Sequence, residues 1–368
     1  MGLYAGSFLD GSEGYMTKLV FNSKALVTNM DKVVHIGNEI MTNTLFDDSK
    51  RFYKTICEEV SKMETEFTSS AHYLALTRLN SFETAGGAYS HHLSGVGYYR
   101  YILGVKKAME GNDYSELERI KELYERIINV KDADILIICD AQNREYIKKY
   151  MCELTSMLKK ENRTKGILAT SLGKSKEAII IPSKVNYVGL GANYRKLGYE
   201  YPQYLPVLKK YLTGSYLWDN IRVLGGAYGS MLSVDRLGTF NFVSYRDPNL
   251  KKTLDVYRNL PSHLNSLELS NDDVSKLIIG TISDADAPCP VYTTGRKLLY
   301  LNYKKTTWEI EQSYRDRLLS ADLKGLKQSA EMITAVIENA NISCVGNEQM
   351  IKEAQDEFEK IYTINDLR

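Results

Sequence analysis

From Pro202 to Ile221 the apolar side chains Leu205, Leu208, Tyr211, Leu212, Leu217 and Ile221 recur mostly at three- to five-residue steps. This is close to the spacing that gathers side chains on one helical face. The pattern predicts a helix running into Gly225 and Gly226, which end it because glycine accepts the positive φ angles by which a chain leaves a helix. Arg222 and Tyr228 then stand on either side of that turn. Beyond it, MLSV and TFNFVSY flank the tetrapeptide DRLG at Asp235, and this predicts an antiparallel hairpin. Asp247 is expected to cap the next helix and Pro248 to occupy its first turn. Leu250, Leu254, Tyr257 and Leu260 mark that helix's buried face.

Helical spacing also predicts helices from Asp31 to Met41, Asp47 to Phe67, Ser70 to Phe82, Tyr114 to Asn129 and Asn143 to Lys159. In the second half it predicts them from Asn271 to Ile282, Arg296 to Ser320, Leu323 to Asn339 and Glu348 to Ile361. Ser270 with Asp273, and Asp113 with Glu116, have the spacing of a cap and a reciprocal carboxylate. Helices outweigh strands and the strands come as hairpins and short buried runs. The expected fold is therefore segregated α+β rather than alternating βα units.

The chain repeats itself. ADILIICDAQNREYIKKYM around Cys139 and ANISCVGNEQMIKEAQDEF around Cys344 both read as a buried strand leading into a helix, 205 residues apart. GLYAGSF at Gly2 and GAYGSML at Gly226 form a second echo, each followed by a hairpin and a helix, and Tyr4 matches Tyr228 at a spacing of 224. Insertions can absorb the difference between the two spacings. Two related domains are expected, each a mostly antiparallel sheet packed with helices: 1–165, a linker over 166–176, and 177–368. The second copy has a strand region, KEAIIIPSKVNYVGLGANY, and a helix before its glycine turn, whereas the first copy starts at the turn. The first domain thus reads as truncated at its N-terminus, with a sheet edge to be covered by another segment or molecule.

Composition narrows the function more than the fold. A formal charge of +1 with scattered basic residues provides no electrostatic footprint for nucleic acid or an anionic membrane. The opening MGLYAGSFLDGSEGYM lacks a leader pattern, and no apolar run approaches the ~20 residues that span a bilayer. A soluble, cytoplasmic chain is expected. The five cysteines are dispersed and form no CxxC pair, so they are expected to be reduced and mostly buried.

The common chemical motifs fail. A GxxxxGK[ST] phosphate loop is missing, and Gly189-Leu190-Gly191 lacks a third glycine, so a loop or strand end is its expected place. No GxSxG elbow appears, and neither HExxH nor HxxEH occurs. His91 and His92 are adjacent and would point to opposite faces of a strand, while His35, His72 and His263 are isolated. No metal site and no cofactor site are expected within the chain. On local pattern alone, Arg222 can be a surface residue near a helix C-terminus and Tyr228 a packing residue.

Four ordered blocks decide between these readings: NYVGLGANYRKLGYEY, YLWDNIRVLGGAYGS, GTFNFVSYRDPNLKKTLDVY and IIGTISDADAP. They resemble the last domain of presequence-protease-type zinc metallopeptidases of the insulinase and pitrilysin clan. NSKALVTNMDKVVHIGNEIMTNTLFDDSKRFYKTI and HHLSGVGYYRYI resemble the preceding domain. The resemblance implies the C-terminal half of an enzyme that encloses and degrades unstructured peptides. It implies that zinc is bound by a missing N-terminal half, through HxxEH and a distal glutamate. That half would be supplied by the same polypeptide or a separate subunit, and the isolated chain would be inactive. The resemblance carries two site residues to this sequence, Arg222 and Tyr228 in IRVLGGAY, as contacts to the substrate carbonyl and the transition state. Relatives often have a basic residue where Leu224 stands. The alternative is a non-catalytic binding or assembly subunit partnering a separate zinc-bearing half.

Overall fold

Strand-forming runs rich in β-branched and aromatic residues pair in both halves, but they are divided unequally between them. The computed structural model describes residues 1–10, 12, 14–131, 133–161, 166 and 173–367. In the first half, β1 (Gly2–Ser7) and β2 (Tyr15–Val20) form a two-stranded antiparallel hairpin. In the second half, β3 (Lys176–Ile180), β4 (Tyr187–Asn193), β5 (Gly229–Val234), β6 (Thr239–Tyr245), β7 (Asn341–Gly346) and β8 (Lys360–Thr363) form one sheet. Its order is β5-β6-β4-β7-β3-β8, with β3 parallel to β7 and β8 and the other neighbours antiparallel.

The helices of the first half are α1 (Met30–Thr42), α2 (Ser49–Ser69), α3 (Ala71–Glu83), α4 (Ala85–Ser94), α5 (Val96–Glu110), α6 (Ser115–Ile127) and α7 (Arg144–Ser156). Those of the second are α8 (Leu205–Gly214), α9 (Lys251–Asn265), α10 (Asn271–Ala285), α11 (Val291–Tyr303), α12 (Trp308–Leu318), α13 (Leu323–Glu338) and α14 (Glu348–Glu353). The α+β class holds. Among the described residues the expected first-half sheet is represented by its hairpin.

Both faces of the large sheet are covered. Val188 and Leu190 of β4 and Phe240 and Phe242 of β6 pack with Leu208 of α8, Leu254 and Tyr257 of α9, and Ile333 of α13. On the opposite face Ile179, Tyr187 and Val345 pack with Met63 and Phe67 of α2, Leu74 of α3 and Tyr99 of α5. Because side chains alternate along a strand, Gly189 shares this second face with Tyr187. A Cβ there would lie 2.9 Å from Leu79 Cδ1 of α3 and 2.8 Å from the Ser343 carbonyl, so the missing side chain sets how closely α3 approaches. The Gly189-Leu190-Gly191 run thus lies inside β4 rather than in a loop or at a strand end.

The packing is reciprocal. While α3 of the first half lies across β6, β4 and β7, α11 of the second half lies on the β1–β2 hairpin. Tyr4 stacks on Tyr300 at 4.5 Å between ring centroids, and Leu9 N–H donates to the Lys304 carbonyl at 2.7 Å. The repeat explains the exchange, since α1, α2 and α3 begin about 220 residues before α9, α10 and α11. The spacing then falls to 208 between the starts of α6 and α13. The first copy has two helices, α4 and α5, where the second has α12, so a helix absorbs most of the difference expected of loops.

Several local expectations change. The helix expected from Arg296 to Ser320 is two, because the chain turns at Lys305 with φ of 56°. That expected from Glu348 to Ile361 stops at Glu353, and Lys360–Thr363 joins the sheet edge instead. The helix before Arg222 is interrupted at Ser215, where φ/ψ are −127°/−85°. Asp247 and Pro248 precede α9 without capping it, since Leu250 is its N-cap residue. The Asp247 carboxylate instead accepts from Asn249 N–H and the Thr253 hydroxyl at 2.8 and 2.6 Å. Ser270 and Asp273 do form a reciprocal capping box, whereas Asp113 accepts from Ser115 N–H and Tyr114 is the N-cap residue of α6. Residues 133–140, expected as a buried strand, form no ladder and are mostly exposed. Cys139, Cys152 and Cys289 are exposed and only Cys344 is buried, which reverses the expectation for the thiols. The expected linker over 166–176 falls largely outside the described residues.

Candidate functional site

Arg222 and Tyr228, six residues apart beyond the end of α8, are brought together by an unusual turn. Trp218–Val223 is a π-helical segment, and its wider i→i+5 spacing is seen in Leu224 N–H donating to the Asp219 carbonyl at 2.9 Å. Such bulges bring side chains four residues apart into new relative positions and often lie at functional sites. Ile221 points into the core, 1% exposed, and anchors the turn, leaving Trp218, Arg222, Val223 and Leu224 facing out. Gly225 follows because a Cβ would meet the Ile221 carbonyl at 2.5 Å, and Gly226 because its φ is +78°. Asn249 Nδ2 donates to the Gly225 carbonyl at 2.6 Å, tying the turn to the loop that Asp247 organises. Burial raises the Asp247 carboxyl above its ordinary value, and its hydrogen bonds oppose that shift.

After Ala227 is buried, Tyr228 N–H donates to the Tyr245 carbonyl at 3.0 Å and the chain enters β5. This fixes the Tyr228 backbone on the sheet while leaving the residue 64% exposed. The Arg222 guanidinium carbon sits 4.1 Å from the Trp218 ring centroid and 5.5 Å from that of Tyr228. Arg222 is exposed, and no carboxylate lies within ion-pair distance of it among the described residues. Rings rather than an anion therefore hold its position, by the attraction of a cation for the negative face of an aromatic system. The structure thus brings the two residues singled out in the sequence to one surface.

Neighbours not singled out there extend the surface. Tyr245 meets Tyr228 edge-on at 5.6 Å, and the Arg246 guanidinium carbon is 5.5 Å from the Tyr245 ring centroid. Arg246 adopts a φ of +49°, rare for a residue with a side chain. His72 of α3 contacts Tyr245 at 4.7 Å, and burial lowers its pKa. The i,i+4 spacing of Trp218 and Arg222 was the available sequence signal for the stack. The contact of Tyr245 with His72 depends on tertiary packing and had none.

The histidines show no metal-site geometry. His91 and His92 lie on α4 rather than on a strand. His91 Nε2 is 3.1 Å from Arg78 Nη1, and Arg78 forms two hydrogen bonds to the buried Glu177 carboxylate. Arginine has only donors, so His91 accepts at Nε2 as a neutral ring. Burial, with Arg78 alongside, lowers its pKa to about 3. His263 is hydrogen-bonded to the Tyr211 hydroxyl at 2.8 Å. Among the described residues no group of three or more His, Cys, Asp or Glu side chains could hold a metal ion. The donor set of the described residues therefore does not fit zinc. Among the same residues no helix is long and apolar enough to cross a membrane.

Comparison with known proteins identifies the architecture. The structure superposes on pitrilysin with a TM-score of 0.55 at 10% identity, covering 86% of this chain and 33% of that one. It superposes equally well on a peptidase M16 inactive domain from Pseudomonas fluorescens, with a TM-score of 0.55 at 13% identity, covering 88% and 76%. The fold is that of the M16, or pitrilysin-clan, peptidases.

Within that clan the sequence is more particular. Residues 176–348 match the PreP C-terminal domain and residues 4–104 match the peptidase M16C associated domain. Protein HypA of Clostridium perfringens is 32% identical over 94% of this chain and 35% of its own length. Presequence protease 1, chloroplastic/mitochondrial, of Arabidopsis thaliana is 27% identical over 97% of this chain and 33% of its own length. The chain corresponds to the C-terminal half of a presequence-protease-like peptidase of the pitrilysin clan. It spans about a third of the length of these curated relatives.

Proposed function

We propose that this chain is the substrate-contacting half of a zinc metalloendopeptidase that encloses and degrades unstructured peptides. The metal is bound by an N-terminal half, in the same polypeptide or a separate subunit, and this chain alone is inactive. The observation that carries the reading is the Arg222 guanidinium, exposed, held between Trp218 and Tyr228, and without a carboxylate partner among the described residues. A cation fixed without a counter-ion is available to a substrate carbonyl, and a neighbouring phenol adds a donor. Both can stabilise the negative charge that develops on that oxygen when the peptide bond is attacked. Their fixed attachment means that little reorganisation is needed at that moment.

The test combines this chain with the zinc-bearing half and measures turnover of a fluorogenic peptide. Arg222→Ala and Tyr228→Phe should each lower kcat by about 100-fold or more. Unfolding midpoints should stay near wild type, because both side chains are exposed. Unchanged turnover in the assembled enzyme would show that neither group contacts the reacting bond.

A further inference from the structure

The strained residue beside the candidate site is an arginine. Arg246 has a φ of +49°, in the left-handed region that a Cβ disfavours and that glycine enters without penalty. Its neighbours leave it no room to relax. On one side Tyr245 ends β6, paired with Gly229 of β5, and its carbonyl accepts from Tyr228 N–H at 3.0 Å. On the other, Asp247 is fully buried and exchanges two backbone hydrogen bonds with Asn186, each 2.8 Å long. Glycine would hold a chain pinned in this way at lower cost, so the presence of arginine points to a use for its side chain.

That side chain takes no part in an ion pair of the fold. Arg246 is exposed, and among the described residues no carboxylate lies within ion-pair distance of it. Asp247, next along the chain, turns its carboxylate inward to Asn249 N–H and the Thr253 hydroxyl. Aromatic groups hold the guanidinium instead. Its carbon lies 5.5 Å from the Tyr245 ring centroid. The side chain also hydrogen-bonds the Tyr187 hydroxyl, which opposes the rise that burial causes in that phenol's pKa. Trp218 and Tyr228 hold Arg222 by the same attraction of a cation for aromatic rings. Burial keeps His72, which meets Tyr245 at 4.7 Å, toward its neutral form, so Arg246 rather than His72 is the permanent cation at this end of the surface.

Tyr228 leads into β5 where Tyr245 ends β6, so both arginines stand at the same end of one hairpin. Contacts of 5.5, 5.6 and 5.5 Å link the Arg222 guanidinium carbon, through the Tyr228 and Tyr245 rings, to that of Arg246. Even laid end to end, these steps are spanned by about five residues of extended peptide, at about 3.3 Å per residue. A peptide held at its reacting carbonyl by Arg222 is therefore long enough to reach Arg246.

We propose that Arg246 is a specificity-determining subsite that takes a carboxylate of the substrate peptide, from an acidic side chain or from its C-terminus, within about five residues of the bond held at Arg222. The fork of donors on a guanidinium matches the two oxygens of a carboxylate. The inference rests on the reading of Arg222 and Tyr228 as contacts at the reacting bond, which sets where the peptide lies.

The test combines this chain with the zinc-bearing half and uses fluorogenic peptides of one parent sequence, labelled on side chains so that their ends stay free. One arm moves a single Glu, against Gln at the same position, through about five residues on either side of the cleaved bond, with the C-terminus amidated. The other compares a free C-terminal carboxylate with its amide, in peptides that lack acidic side chains and end within that span. The readout is the ratio of kcat/KM within each pair, which is independent of how much active enzyme assembles. In the wild type at least one pair should favour the acid by about tenfold or more, and the arm in which it appears names the source of the carboxylate. Arg246→Gln should bring that ratio close to one, and Arg246→Lys should keep part of it. Arg246→Gly should lose the ratio too, yet melt above Arg246→Gln, because only glycine relieves the backbone. Ratios near one throughout the wild-type series, a preference that survives Arg246→Gln, or a glycine variant that melts below the glutamine variant overturns the proposal. If Arg222→Ala abolishes the ratio and Arg246→Gln does not, the carboxylate sits on Arg222 and both readings fail. A ratio lost only with Arg246, while Arg222→Ala leaves turnover unchanged, keeps the carboxylate subsite and ends the catalytic reading alone.

Discussion

Replacing Glu83 with Gln should change the stability of the fold in a strongly pH-dependent way. Glu83 ends α3 at 1% exposure, wedged against the large sheet. Asn241 Nδ2 reaches its Oε2 at 3.3 Å and the Asn80 Oδ1 at 2.9 Å, while Glu83 Oε1 and Asn241 Oδ1 have no partner among the described residues. Burial pushes the Glu83 carboxyl up to about 8 from 4.5, the Asn241 hydrogen bond opposes the shift, Asp235 adds to it, and Lys196 weakly opposes it. The folded state therefore keeps a proton that the unfolded chain gives up. The stabilisation associated with that proton is complete below pH 4.5 and is lost as pH rises through 8.

A tenfold difference in proton affinity between the folded and unfolded chain is worth about 1.4 kcal/mol, so the loss is about 1 kcal/mol at pH 5 and about 4 at pH 8. Gln mimics the protonated carboxyl and does not titrate. Its stability relative to wild type should therefore rise by about 3 kcal/mol between pH 5 and pH 8, whatever constant difference its packing introduces. Urea unfolding of both proteins at pH 5, 6, 7 and 8 measures this directly. Most other titrating groups, Asp235 included, are common to both and largely cancel in the comparison. A difference constant to within about 1 kcal/mol across that range would refute a proton held at Glu83.

Two glycine substitutions test the backbone arguments. Gly189→Ala should cost about 1–3 kcal/mol in chemical unfolding, because its Cβ meets Leu79 and the Ser343 carbonyl at under 3 Å. Gly226→Ala has room for its methyl group, 3.6 Å from Pro248 Cγ, so only the φ of +78° penalises it, by about 1–2 kcal/mol. A loss for Gly226→Ala larger than that for Gly189→Ala would reverse the assignment of strain and overpacking.

Much of this architecture was legible where periodicity and local chemistry agree. The face carrying Leu205, Leu208, Leu212 and Ile221 is buried as its spacing requires, and the two runs around DRLG pair as a hairpin. The Ser270–Asp273 box formed because both partners lie within one turn. The misses involve information beyond a local window. ADILIICD has the composition of a buried strand, yet a strand needs neighbours, and the described residues supply none on either side. Gly189 and Gly191 read as a loop or strand end because the neighbours that exclude a Cβ there are distant in sequence, Leu79 of α3 for Gly189 and Phe240 and Asn241 of β6 for Gly191. At the candidate site the family resemblance singled out Arg222 and Tyr228, and the turn brings them to one surface. The π turn that sets Arg222 over Trp218 depends on a break at Ser215 that no periodicity announces.

The exchange of α3 and α11 across the repeat has a consequence for how this polypeptide can be divided. Leu74 and Leu79 lie in the first half by sequence but seal the sheet of the second. A protease cutting between 161 and 176 would break the chain without releasing two particles. The nicked product should migrate as one species until denatured, and either piece expressed alone should be insoluble or soon degraded. Gene fission or recombination at that joint would accordingly be survivable only when both products are made together, so the pair of repeats, rather than the single repeat, is the smallest inheritable unit of this fold.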